Sequence, residues 1–128
     1  AKNPLSVFRA EMTVEEVLGS QVLWPGVMTR PMACPPTCGG AAALLVSRDF
    51  AKRHGLDPAV RIAAQAMATD TPETFETNSM IALVGADMTR RASQAVYEAA
   101  GIGPQDIGVV ELHDCFAHNE LITYEGLG

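Results

Sequence analysis

The residues best able to do chemistry lie near the end of the chain, in GVVELHDCFAHNELITYEGLG, where an apolar run stops at His113 and Asp114 and is followed by Cys115 and Phe116. An imidazole at the end of a strand can donate a hydrogen bond to a carbonyl that becomes an oxyanion, or move a proton near neutral pH. The plainer role for His113 is a hydrogen-bonded, partly buried residue. Asp114 is placed to cap the next helix. Cys115 sits two residues from His113, a spacing that gives no sign of thiol activation, so we read it as packing. His118, Asn119 and Glu120 fall in the first turn of that helix, where they face either solvent or a ligand.

A second group is Cys34 and Cys38 in CPPTC, a proline-rich loop ahead of a glycine pair. Zinc would require two further ligands, and His54, His113 and His118 show no matching spacing, so no metal is expected. The CGGAAA turn lacks the glycine patterns that cradle nucleotide phosphates. Arg48, Lys52 and Arg53 read as the solvated face of a short helix.

Elements must position these residues. Thr13 and Glu16 form a capping box for a short helix ending near Gly19. Pro25, Gly26, Pro31, Pro35 and Pro36 make 21–36 a loop-rich connection. The unbroken apolar run Ala41 to Val46 predicts a strand covered on both faces. Ser47 then caps a helix from about Arg48 to His54, closed by Gly55. AVRIAAQAMAT alternates with period two and predicts a second strand, and TDTPETFETNS reads as a loop. Met88, Ala92, Ala95, Val96 and Ala99 recur at helical spacing, with Asp87 or Thr89 as cap and Gly101 as terminator. IGVVEL predicts a third strand, and 117–125 a last helix. Alternating strands and helices argue for an α/β fold, in which ligands meet the carboxyl ends of the strands and the positive ends of the following helices.

Composition narrows the function classes. The chain has 128 residues, the size of one domain, and 48% of them are hydrophobic. No apolar run approaches the roughly 20 residues of a membrane helix. Nine basic against 15 acidic residues give a net charge of −6, which offers no general attraction for nucleic acid or anionic lipid. Three cysteines with no signal-peptide pattern favour a reducing compartment, with the cytoplasm as default.

The segment VVELHDCFAHNELITYEGLG closely resembles the His-Asp-Cys-Phe region of the sterol-carrier-protein type of thiolase. CPPTCGGAAALLVS, the helix to KRHGL, AQAMATDTPETFE and VGADMTRRASQAVYEAAGI match the same family in the same order. ELHDCF followed by NEL-x-TYE is the specific part. The resemblance implies the thiolase fold, mixed five-stranded sheets with helices on both faces, incomplete in this chain. It divides the chain into an arm and connection (1–38), the last strand and helix of the N-terminal half (39–58), and the start of the C-terminal half (59–128).

It further implies Claisen chemistry on 3-oxoacyl-CoA, with branched or sterol-derived chains possible, in a homodimer that uses coenzyme A as substrate and no permanent cofactor. His113 stands where most thiolases carry an asparagine of the oxyanion hole, and so becomes the expected catalytic donor. Phe116 and Asn119 become the expected substrate-binding residues. The family's nucleophilic cysteine belongs to an earlier segment, and its Gly-His-Pro histidine and Cys-x-Gly cysteine to a later one. Cys34, Cys38 and Cys115 do not match those positions. We therefore expect an internal piece of a longer enzyme, inactive alone, and peroxisomal if eukaryotic. Two alternatives stay open: a thiolase-fold retro-aldol lyase acting on steroid side-chain CoA esters with a partner protein, and a non-catalytic acyl-CoA binding protein.

Overall fold

A computed structural model describes residues 3–57 and 60–128. The expected boundary at 58/59 and the first residue of the expected second strand, Ala59, lie outside the described residues. The chain begins with helix α1, Val14–Leu18, where the Thr13 hydroxyl accepts from the Glu16 N–H at 3.2 Å and the Glu16 carboxylate accepts from the Thr13 N–H at 2.7 Å. Both ends of the expected capping box are present. Strands β1, Val22–Trp24, and β2, Met28–Thr29, then pair antiparallel. Their turn places Pro25 and Gly26 between Trp24 and Val27, with Gly26 at φ 69° and the Val27 N–H donating to the Trp24 carbonyl at 3.1 Å. Proline followed by a left-handed glycine is the chemistry of a type II turn, so the punctuation that suggested a loop instead folds a hairpin. The buried Thr29 hydroxyl donates to the Val17 carbonyl at 2.6 Å, giving a partner to one of α1's terminal acceptors. A 3-10 turn follows at Arg30–Met32.

Helix α2, Arg48–Arg53, starts as expected on Ser47, whose hydroxyl accepts from the Phe50 N–H. Gly55 at φ 63° closes it, and the Leu56 N–H reaches back to the Ala51 carbonyl. The polar stretch expected to be a loop contains a short helix, α3 at Pro72–Glu76, and ends at Ser79, the N-cap of a second, α4 at Met80–Leu83. Pro72 in the first helical turn after Thr71, and the Ser79 hydroxyl accepting from the Ala82 N–H, are helix-start chemistry that outweighs the polar composition. Helix α5, Ala86–Ala100, begins earlier than expected. Gly85, at φ 93°, occupies the N-cap position, and Asp87 lies in the first turn, bonded to Arg91. Gly101 ends the helix at φ 69°, as expected. A second 3-10 turn, Pro104–Asp106, precedes helix α6, Ala117–Leu127.

Helices together with a sheet make the architecture α/β, with the sheet limited to two strands among the described residues. The expected strands at 41–46, from 60 onward in AVRIAAQAMAT, and at 107–112 form no ladder. Their apolar sequences set a tendency to be buried, but a strand also needs a neighbour to take its N–H and C=O groups. None of the described residues provides one. Leu44, Val60, Met67 and Val109 are accordingly exposed.

The tightest packing joins α5 to the end of α6. Thr89, Ser93 and Tyr97, four residues apart, form one stripe on α5. Thr89 sits against the buried Gly126, where an added Cβ would come within 2.8 Å of the Thr89 methyl. The Ser93 hydroxyl lies 2.9 Å from the Gly126 carbonyl, and the Tyr97 hydroxyl donates to the Leu127 carbonyl at 2.8 Å. Tyr97 thus satisfies one terminal carbonyl of α6, and the single Ser93 hydroxyl proton is shared between the Gly126 carbonyl and the Arg90 carbonyl at 3.0 Å. On the adjoining stripe Met88, Ala92 and Val96 line a groove shared with 66–68. Arg91 holds that segment by donating to the Thr69 carbonyl at 2.6 Å.

Candidate functional site

The site is the turn from His113 to Asn119. Ala33 and Phe116 form an isolated antiparallel bridge, and the Cys34 N–H donates to the Cys115 carbonyl at 3.0 Å. Phe116 is therefore extended, at φ −145° and ψ 145°, and stands at the N-cap position of α6. Its carbonyl accepts from the N–H groups of Asn119 at 2.9 Å and Glu120 at 3.1 Å. Asp114 is not the cap expected of it. The bridge at Phe116 delays the helix start beyond the reach of its carboxylate, and no side chain caps α6.

The turn gathers the three expected site residues. The Asn119 side-chain amide donates to the His113 carbonyl at 3.4 Å, while its backbone N–H bonds to Phe116. Asn119 thus braces the turn that carries the histidine. His113 is exposed, and its imidazole has no hydrogen-bond partner among the described residues. Phe116 is 43% exposed and presents apolar surface on the same turn. His118 is exposed in the first turn of α6, and Cys115 is half-buried.

The electrostatics around the turn are acidic. Asp114 is held above its ordinary carboxylate value, first by partial desolvation and then by the negative charge of Glu120, with His113 pulling the other way. Glu120 also accepts a hydrogen bond from the Tyr124 hydroxyl, which raises the phenol above its usual range. A carboxyl pair beside an imidazole can hold or pass a proton, and the exposed ring can donate to an incoming oxygen. Among the described residues no group of three or more His, Cys, Asp or Glu side chains is placed to hold a metal ion. None of the described helices is long and apolar enough to cross a membrane.

One contributor was invisible in the sequence. The main chain of Ala33 and Cys34 pins the turn from the other end of the molecule, and nothing in CPPTC signals that pairing. In the sequence Glu120 is one of three first-turn residues that face solvent or a ligand, and its link to Asp114 exists only in the folded turn.

Residues 66–128, which include this whole turn, match the family described as "Thiolase C-terminal domain-like". They are a thiolase-type C-terminal segment. The whole chain is similar to sterol carrier protein 2 of Gallus gallus, at 51% identity over 127 residues, covering 98% of this chain and 23% of that protein. It is also similar to an acetyl-CoA acetyltransferase of Methanocaldococcus jannaschii, at 35% identity covering 100% of this chain and 32% of that enzyme. A benzoylsuccinyl-CoA thiolase subunit of Thauera aromatica is 32% identical, covering 98% of this chain and 31% of the subunit. The likeness is thus to thiolases of the sterol-carrier-protein type, and the α/β architecture is a partial thiolase fold. The chain spans 23% to 32% of the length of these three relatives. Within the thiolase segment, α5 and α6 form the packed pair, and the His113 turn leads directly into α6.

Proposed function

We propose that this chain supplies the oxyanion-binding turn of a thiolase that cleaves 3-oxoacyl-CoA with coenzyme A, and that His113 is its donor. The observation that carries the reading is an exposed imidazole on a tethered backbone. The carbonyls of His113, Cys115 and Phe116 are all engaged, while the ring has no partner among the described residues. Such a donor can meet a thioester oxygen as negative charge develops, without first breaking a protein hydrogen bond. A cysteine thiolate outside this segment would attack the carbonyl, acetyl-CoA would leave, and a second coenzyme A would accept the shortened acyl group. Phe116 would border the acyl chain. Asn119 would act as a positioning residue through the His113 carbonyl.

The division of the chain into an arm, the end of one thiolase half and the start of the next belongs to the same proposal. The family match beginning at residue 66 supports its last part. The exposed apolar runs at 41–46 and 107–112 support further elements that cover them in the intact protein, and a homodimer follows from the family resemblance.

The test is steady-state thiolysis by the intact protein. His113→Ala is expected to lower kcat about 100- to 1,000-fold, the usual loss for an oxyanion donor, with a small change in KM. His113→Asn, restoring a donor of the kind other thiolases carry, is expected to recover part of it. Parental turnover in His113→Ala would end the proposal. A second reading, an acyl-CoA or lipid carrier without thiolysis, is favoured by the name of the sterol carrier protein relative. Coenzyme A affinity without turnover in the parental protein would select that reading.

A further inference from the structure

We propose that Cys34 and Cys115 form a reversible disulfide that locks the histidine-bearing turn to the N-terminal arm. The bridge between Ala33 and Phe116 sets the register, so that residue 34 stands opposite residue 115, and the Cys34 N–H already donates to the Cys115 carbonyl at 3.0 Å. Residues directly opposite in an antiparallel pair send their side chains to the same face. A pair that exchanges both hydrogen bonds has Cα atoms about 5.5 Å apart, and of the two the Cys34 N–H bond is the one present among the described residues. That separation lies inside the span of roughly 4.4–6.8 Å that a disulfide tolerates. Both thiols are free, Cys34 is exposed and Cys115 is half-buried, so a small oxidant can reach the first sulfur and the second can follow. Cys38 is also free and exposed, but Pro35 and Pro36 separate it from the bridge.

The oxidant is a low-molecular-weight disulfide such as oxidised glutathione. The Cys34 thiolate attacks one of its sulfurs and releases one glutathione thiolate, leaving a mixed disulfide. Cys115 gives its proton to solvent, and its sulfur attacks the Cys34 sulfur and expels the second glutathione. Two protein thiols lose two electrons, and one glutathione disulfide becomes two thiols. The product replaces a single hydrogen bond with a covalent tie two residues from His113.

The experiment uses the intact protein, reduced, treated with oxidised glutathione, alkylated and digested with trypsin. Mass spectrometry without reductant is expected to find the tryptic peptide bearing Cys34 joined to the one bearing Cys115, reversible by dithiothreitol. The link should persist in Cys38→Ser and vanish in Cys34→Ser. A link that disappears in Cys38→Ser, a glutathione that stays on Cys34, or three alkylated cysteines after oxidation would each overturn the proposal. These readouts do not depend on turnover, so they stand apart from the role proposed for His113.

Discussion

Gly126→Ala tests the contact that docks α6 on α5. An alanine is favoured over glycine inside a helix by up to about 1 kcal/mol, so the substitution alone favours the folded chain. The new Cβ, however, would lie 2.8 Å from the Thr89 methyl and 3.0 Å from the Thr89 Cβ, closer than side-chain carbons pack. Overpacking of this kind costs about 1–3 kcal/mol, because the neighbour must leave its rotamer or the helices must part. The difference leaves a net destabilisation of roughly 0–2 kcal/mol. Its sign is therefore less diagnostic than its dependence on Thr89. Thr89→Ala removes the methyl at 2.8 Å and leaves the contact at 3.0 Å and an ordinary one at 3.5 Å to the Ala86 carbonyl, so Gly126→Ala should cost about 1 kcal/mol less in that background. Chemical denaturation of the four proteins of the cycle measures the coupling directly. If the two changes add without coupling, or if Gly126→Ala alone stabilises by its full helix preference, the steric account of this interface is wrong.

Three further outcomes follow from the same packing and electrostatics. Tyr97→Phe removes the hydroxyl that donates to the Leu127 carbonyl and should cost about 0.5–1.5 kcal/mol in denaturant midpoints. Arg91→Met frees the Thr69 carbonyl and leaves Asp87 with Arg90 alone, so limited proteolysis by thermolysin near 66–69 should accelerate while amide exchange in α5 stays slow. Asp114 has a raised folded-state value, which means its carboxyl is better tolerated protonated, and its contribution to stability falls as pH rises above its ordinary 3.8. Asp114→Asn should therefore gain stability relative to the parent at pH 7 more than at pH 3.5, and equal gaps at both pH values would contradict the burial and Glu120 causes.

Much of the helical fold was legible because helix ends are written in single residues. Thr13 with Glu16, Ser47 before Arg48, and Gly101 after Ala100 each name a specific hydrogen bond or backbone angle, and each is found. The failures have a common physical source. An apolar run such as Ala41 to Val46 states a preference for burial, while a strand exists only with a partner, and pairing is a relation between distant segments. The hairpin at Pro25 and Gly26 was missed for the opposite reason, since the breaker residues are themselves the turn. α3 is hidden in TDTPETFETNS because its polar composition masks Thr71 and Pro72 as helix-start residues. At the site, the last helix was expected from 117, and α6 begins there, which puts Phe116 and Asn119 at its start. The clamp from Ala33 and Cys34 had no local signal.

The candidate site separates two jobs that a histidine usually combines. A buried, hydrogen-bonded imidazole holds a fold together by its ring, and such a ring must give up a bond before it can meet a substrate. Here the ring is exposed and the holding is done by main chain: Cys34 N–H on the Cys115 carbonyl, and two N–H groups on the Phe116 carbonyl. The Asn119 amide adds a longer contact to the His113 carbonyl. Each such bond contributes only about 0.5–1.5 kcal/mol net, but together they restrain the backbone from His113 to Phe116. A donor positioned by its backbone and unpaired at its ring needs little reorganisation when an oxyanion forms, and low reorganisation is what makes an electrostatic catalyst effective. Under the role proposed for His113, the bridge at residue 33 would serve the chemistry although it contributes no side chain to the site.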